Sequence, residues 1–172
     1  MTKLEIRKAN SSDSALILRF VKELARYEKA EHEATASVED IKKSIFSENS
    51  TVEAVICERD GTPIGFAVYF YNYSTWQGKK GLYLEDLYVT PESRGSGAGK
   101  LLLRYLAKKA VTEGCGRFEW SVLDWNRPAI DFYESIGAKP KSEWVGYQLS
   151  GQSLVDFGAV RWTPNFGQVP KL

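Results

Sequence analysis

The stretch Tyr88-Val89-Thr90-Pro91-Glu92-Ser93-Arg94-Gly95-Ser96-Gly97-Ala98-Gly99-Lys100 constrains this chain more than any other. An apolar β-type run over residues 82–89 enters it, and a helical run over residues 101–111 leaves it. A strand that feeds a helix through a glycine-rich turn leaves backbone N–H groups unpaired at the positive end of the helix dipole. Such a junction is an anion site, most often for phosphate. Glycines there tolerate positive φ and let a ligand come close to the backbone. Two common phosphate loops fail on spacing. A P-loop needs Gly where Arg94 stands and Ser or Thr where Leu101 stands. The dinucleotide fingerprint, begun at Gly95 and Gly97, meets Lys100 in place of its third Gly.

The rest of the chain sets the frame for that junction. With 172 residues it is long enough for one domain with a sizeable core. A net charge of +1 argues against a broad nucleic-acid surface. No apolar run approaches a membrane span, and the first residues lack a signal-peptide core, so a cytoplasmic protein is expected. Cys57 and Cys115 have no spacing that suits a disulfide framework or a zinc site, and reduced buried thiols are expected. His32 is the only histidine, which leaves little material for His-based metal sites or Ser-His-Asp triads. No metal is implied. General acids and bases must come from Glu, Asp, Tyr or Lys.

Periodicity orders the elements. Residues 4–7 alternate as a short strand, and residues 15–26 carry helical spacing behind cap candidates Asn10 to Asp13. Ser37 opens a second helix ending near Phe46. Residues 51–58 and 64–71 read as a hairpin about Asp60-Gly61. Residues 77–80 form a turn before the strand 82–89, and the helix after the glycine-rich turn ends at Gly114. Residues 117–123 are another strand, Asn126-Arg127-Pro128 starts a helix that Gly137 ends, and residues 144–149 and 153–157 read as final strands. This order predicts an α/β (α+β) fold: a mixed sheet of about six to seven strands with helices on both faces. Residues 1–157 are expected to form one domain. Residues 158–172 form a tail, flexible or packed on a partner subunit.

Arg-x-x-Gly-x-Gly over residues 94–99, at the end of an apolar strand, resembles the pyrophosphate signature of the GNAT superfamily of N-acetyltransferases. The segment Asp124-Trp125-Asn126-Arg127-Pro128-Ala129-Ile130-Asp131-Phe132-Tyr133-Glu134-Ser135-Ile136-Gly137-Ala138 is similar to that family's W-N-x-x-A-x-x-F/L-Y-x-x-x-G-A segment. The resemblance implies acetyl-CoA as cofactor, lying in a splay between the two central strands, here residues 82–89 and 117–123. It implies that the backbone from Arg94 through Gly95, Ser96, Gly97, Ala98 and Gly99 to Lys100 holds the pyrophosphate, with the Arg94 side chain nearby. Leu87, Tyr88 and Val89 would pair with the pantetheine arm as a strand would. Asn126 would contact the cofactor, and Tyr133 would protonate the departing CoA thiolate. The chemistry of that last role is sound on its own. A thiol of pKa about 8.5 leaves as thiolate, and a phenol of pKa about 10 stays protonated until charge builds on sulfur. Read from the residues alone, Tyr133 fits better as a core aromatic beside Ile130 and Ile136, and the resemblance turns the reading to the catalytic role.

The amine must lose a proton, since an alkyl ammonium has pKa about 10.4. Glu85 and Asp86 interrupt an apolar strand, where acids are costly unless used or paired. Strict alternation puts them on opposite faces; a bulge would relax that. A salt-bridged pair at a sheet edge is the other reading. Across residues 4–157 the chain resembles the spermidine/spermine N-acetyltransferase group. That likeness implies an amine pocket of Tyr27, Glu28, Trp76, Glu85 and Asp86, Glu85 serving in deprotonation, and a homodimer. Aromatic walls suit methylene stems and cations, and carboxylates suit ammonium heads. Polyamine-specific members have Asp-Pro-Trp where this chain has Ser74-Thr75-Trp76. The wording is closer to the thialysine Nε-acetyltransferase branch, so a small ω-amino substrate is expected first, polyamines second. A peptide amine as acceptor, or a non-catalytic acyl-CoA sensor, are the competing readings.

Overall fold

The computed structural model describes residues 3–159. Two compact units divide the chain, Met1–Leu123 and Asp124–Leu172. The first is built on a five-stranded sheet in the order β1-β2-β3-β4-β5, with β1 Leu4–Lys8, β2 Val52–Arg59, β3 Thr62–Ser74, β4 Lys79–Val89 and β5 Phe118–Trp120. The first four are antiparallel neighbours, and β5 joins β4 in parallel. The hairpin forms about Asp60-Gly61 as its sequence requires.

Helices α1 (Ser14–Tyr27) and α2 (Val38–Phe46) lie on one face. Ile17 and Phe20 of α1 pack there on Ala54, Ile56, Phe66 and Tyr88. The Phe20 ring stacks on Phe66 at 5.6 Å between centroids and tilts on Tyr88 at 5.9 Å, a geometry that adds to simple area burial. Both helices begin at tight caps. Asn10 and Asp13 form a capping box at the 3₁₀ turn ahead of α1, and Ser37 and Asp40 form another at α2. Arg7 donates to both Asp13 oxygens at 2.8 Å and to Glu58 at 2.7 Å, which ties β1, β2 and the start of α1 together. Helix α3 (Ala98–Thr112) covers the other face and buries Leu102, Leu103 and Leu106. Helices thus lie on both faces of the sheet.

The second unit holds α4 (Arg127–Ser135) and α5 (Gly151–Ala159). Among the described residues the sheet has five strands rather than six or seven. Residues 144–149 form no strand, for want of a neighbouring strand to pair with among the described residues. The segment 153–157 lies inside α5, where Leu154 and Phe157 fall at helical i, i+3 spacing. The strand expected over residues 117–123 is real but shorter. The tail expectation for 158–172 begins inside α5, and its remaining residues, 160–172, lie outside the described residues. Cys57 is buried in β2, Cys115 is half-buried, and both are free.

Candidate active site

Strand β4 carries the first part of the site, and its register explains how. Leu84 stands opposite Tyr69, but Asp86 stands opposite Val68, so Glu85 is an extra residue, a β-bulge. Directly opposed residues share a sheet face, and Val68 belongs to the core under α1. The bulge therefore turns Asp86 onto the α1 face, whereas Leu84, two residues earlier, faces the other way. Tyr88 follows on the α1 face. Leu87 and Val89 point to α3, where their side chains lie near the site of a Cβ on Gly99, at 3.9 and 4.0 Å.

The end of α1 meets the same face. Glu28 caps that helix, and Lys29 then takes a left-handed φ of 61°, a position that glycine usually fills. A non-glycine residue there stores on the order of 1 kcal/mol of strain. The Ala30 N–H donates to the Ala25 carbonyl at 2.8 Å and closes the turn. Asp86 is half-buried and its carboxyl is pushed up to about 6, first by burial, then by the negative charges of Glu85 and Glu28. Burial also raises the Glu28 carboxyl. The charges of Glu85 and Glu28 thus both act on Asp86. Glu85 itself is exposed.

Parallel pairing of β4 with β5 covers only Leu82, Tyr83 and Leu84. From Glu85 to Val89, no strand among the described residues pairs with that edge of β4. The glycine-rich turn follows. A 3₁₀ turn over Pro91–Ser93 precedes Arg94, and Gly95 and Gly97 take φ of 76° and 88°, a backbone that only glycine adopts without strain. The first bond of the α3 ladder runs from the Leu101 N–H to the Gly97 carbonyl at 2.9 Å. The N–H groups of Ala98, Gly99 and Lys100 lie ahead of it, at the positive end of the helix. Ser96 Oγ donates to the Ser93 carbonyl at 2.6 Å and stiffens the loop.

Two expected positions carry a new detail. The Arg94 side chain turns to the α1 side: its Nε donates to the Val89 carbonyl at 3.2 Å, and its guanidinium lies 4.7 Å from the Tyr27 ring centroid. Nothing in the sequence pattern signals that contact, because it depends on where α1 ends. Trp76 lies on the turn before β4 and is 88% exposed. Ser74, beside it, is buried, and its Oγ accepts from the Gln77 N–H at 3.3 Å.

In the second unit Asn126 occupies the N-cap of α4, but its side chain makes no capping hydrogen bond. Its carbonyl accepts from the N–H groups of Ala129 and Ile130, both at 3.1 Å. Tyr133 lies on α4 with its ring 5.8 Å from that of Phe132, and burial raises its phenol. A raised phenol stays protonated and is suited to donate. Among the described residues, no group of His, Cys, Asp and Glu is arranged to hold a metal ion, and no helix is long and apolar enough to cross a membrane.

Comparison with known proteins gives consistent likenesses. The model of the Acetyltransferase (GNAT) family matches residues 18–138. A thialysine N-epsilon-acetyltransferase from Sus scrofa is 36% identical over 165 residues, covering 90% of this chain and 96% of the relative. The L-ornithine N5-acetyltransferase NATA1 of Arabidopsis thaliana is 38% identical over 123 residues, covering 72% of this chain and 51% of its own length. Among solved structures, an integron cassette protein from the mobile metagenome of V. cholerae superposes with a TM-score of 0.78 at 28% identity. That match covers 91% of this chain and 98% of the other.

Proposed function

The chain belongs to the acetyltransferase (GNAT) family, and on that premise we propose that it moves the acetyl group of acetyl-CoA to the primary amine of a small cationic substrate. The single observation that carries the choice of acceptor is the bulge that turns Asp86 onto the α1 face of β4, where the charges of Glu85 and Glu28 act on it. Carboxylates that act on one another favour an ammonium group. The relatives named for thialysine and L-ornithine act, by those names, on amino acids with an ω-amine. Thialysine or a similar ω-amino acid is our first substrate class, with diamines and polyamines second.

The mechanism is direct transfer in a ternary complex. Acetyl-CoA sits with its pyrophosphate on the backbone from Arg94 to Lys100 and its pantetheine arm along Leu87, Tyr88 and Val89. The substrate ammonium enters among Tyr27, Glu28, Trp76, Glu85 and Asp86 and gives up a proton to the carboxylate pair. Asp86, whose carboxyl burial pushes up to about 6, is a stronger base than an ordinary carboxylate, and Glu85 at the bulge supports it. The amine nitrogen then attacks the thioester carbonyl, the C–S bond breaks, and the thiolate takes a proton from Tyr133. Asn126 contacts the cofactor. No covalent enzyme intermediate and no metal is used. Residues 1–157 act as one catalytic domain, in a cytoplasmic homodimer.

Release of CoA thiol from acetyl-CoA tests this, against thialysine, lysine, ornithine, putrescine, spermidine and spermine. Turnover on thialysine and its amino-acid relatives is expected. Preference for spermidine and spermine would reverse the order of substrate classes. No turnover on any of the six, with acetyl-CoA still bound, would overturn the small-amine reading.

A further inference from the structure

We propose that Arg94 is a positioning residue that couples the cofactor loop to the amine pocket through the Tyr27 ring; this rests on the function proposed above. Arg94 immediately precedes Gly95, so its backbone belongs to the anion-binding turn. Its guanidinium faces away from that turn's helix. It lies over Tyr27 at 4.7 Å and close to Tyr88 at 5.8 Å, while Nε donates to the Val89 carbonyl at 3.2 Å. One side chain thus joins the end of β4, the glycine-rich turn and the last residue of α1. Tyr27 adjoins Glu28, whose charge acts on Asp86. The path from phosphate loop to acid cluster is therefore Arg94, Tyr27, Glu28, Asp86.

A hollow of about 510 Å³ lies beside the stack, lined by Arg19, Glu23, Tyr88, Glu92, Tyr27 and Arg94 among others. Arg94 is exposed, so the guanidinium stays partly solvated and the stack is not fully buried. Tyr27 is 39% exposed, so changing its ring leaves the core under α1 intact. Any ligand that fixes the loop fixes Arg94, and Arg94 fixes the Tyr27 wall. Coupling of that kind is reciprocal: loss of the ring weakens cofactor binding, although Tyr27 lies outside the cofactor loop.

The test is the dissociation constant of CoA, measured without amine, for the wild type, Tyr27→Leu, Tyr27→Phe, Arg94→Gln and the double variant Tyr27→Leu/Arg94→Gln. Tyr27→Leu is expected to weaken CoA binding roughly threefold to tenfold, the effect of losing a partly solvated cation–π contact. Tyr27→Phe keeps the ring face and is expected within about twofold of the wild type. The double variant should bind no more weakly than Arg94→Gln alone, because both changes remove the same contact. In turnover at saturating acetyl-CoA, Arg94→Gln should raise the amine KM more than it lowers kcat. Wild-type affinity in Tyr27→Leu, or additive losses in the double variant, would overturn the coupling while leaving the acetyltransferase reading intact. Absence of CoA binding by the wild type would instead overturn that reading, and the coupling with it.

Discussion

Asp86 stands opposite Val68 in the β3–β4 ladder, on the face that α1 covers. The extra residue Glu85 puts it there, and burial there lifts its carboxyl to about 6. The ordinary carboxyl value is 3.8, so between about 4 and 6 the folded chain holds more protons at this site than the unfolded chain. Its contribution to stability is therefore full at low pH and declines as pH rises through that window. Activity runs the other way, because amine capture needs the carboxylate. The kcat/KM for amine is expected to rise through pH about 6, and Asp86→Asn should abolish that limb and cost at least about tenfold at neutral pH. Glu28→Gln should move the limb to lower pH, since a like charge is removed. A pH profile of kcat/KM that shows no limb near 6 in the wild type would refute the assignment.

Tyr133→Phe removes the proton proposed for the leaving thiolate and nothing else of the ring. We expect kcat to fall about a hundredfold, with KM for either substrate within about twofold. Steady-state kinetics at pH 7.5 or so decides this, and an unchanged kcat would assign the general acid elsewhere.

Gly97 and Gly65 hold the end of β4 and the turn after it in shape for different reasons. Gly97 has φ of 88° and open space around it, so Gly97→Ala costs roughly 1–2 kcal/mol in backbone strain alone. Gly65 lies against β4, where an added Cβ would stand 2.5 Å from the Tyr88 carbonyl oxygen. Gly65→Ala must displace the backbone of the segment proposed to pair with pantetheine. Both variants are expected to bind CoA at least about fivefold more weakly, with Gly65→Ala also losing thermal stability. Calorimetric titration with CoA and a thermal melt check both.

Asp13→Asn probes the frame rather than the chemistry. The change weakens the two-point contact with Arg7 and the bond from the Asn10 N–H at 2.9 Å. Breaking a nearly buried, charge-assisted network is expected to cost on the order of 2 kcal/mol in urea unfolding. Turnover at 25 °C should be unchanged, because the network lies at the start of α1 and the acid cluster lies at its end.

Most of the first unit is legible in the sequence, because its signals are local. Asp60-Gly61, the caps at Ser37 and Asn10, and the glycines at 95 and 97 each dictate a backbone shape within a few residues. The bulge at Glu85 is only half legible: two adjacent acids in an apolar strand raise it as one reading beside a salt-bridged edge pair, and the β3–β4 register decides. Residues 144–157 resist the same reading. Their apolar residues suit a strand or a helix, and only a neighbouring strand decides for the former; α5 takes the latter part. The direction of Arg94 is equally hidden, since its contact with Tyr27 joins residues far apart in the chain. Side-chain alternation suggests where a residue faces, but not which distant ring it meets.

The short pairing between β4 and β5 has a consequence for the chain's life outside catalysis. Among the described residues no strand pairs with this edge from Glu85 to Val89, and such an edge beside apolar Leu87 and Val89 is the kind on which foreign strands nucleate. Under the proposed function, acetyl-CoA acts as that edge's chaperone. A cell short of the cofactor would then carry a protein more prone to self-association at the segment that makes it useful.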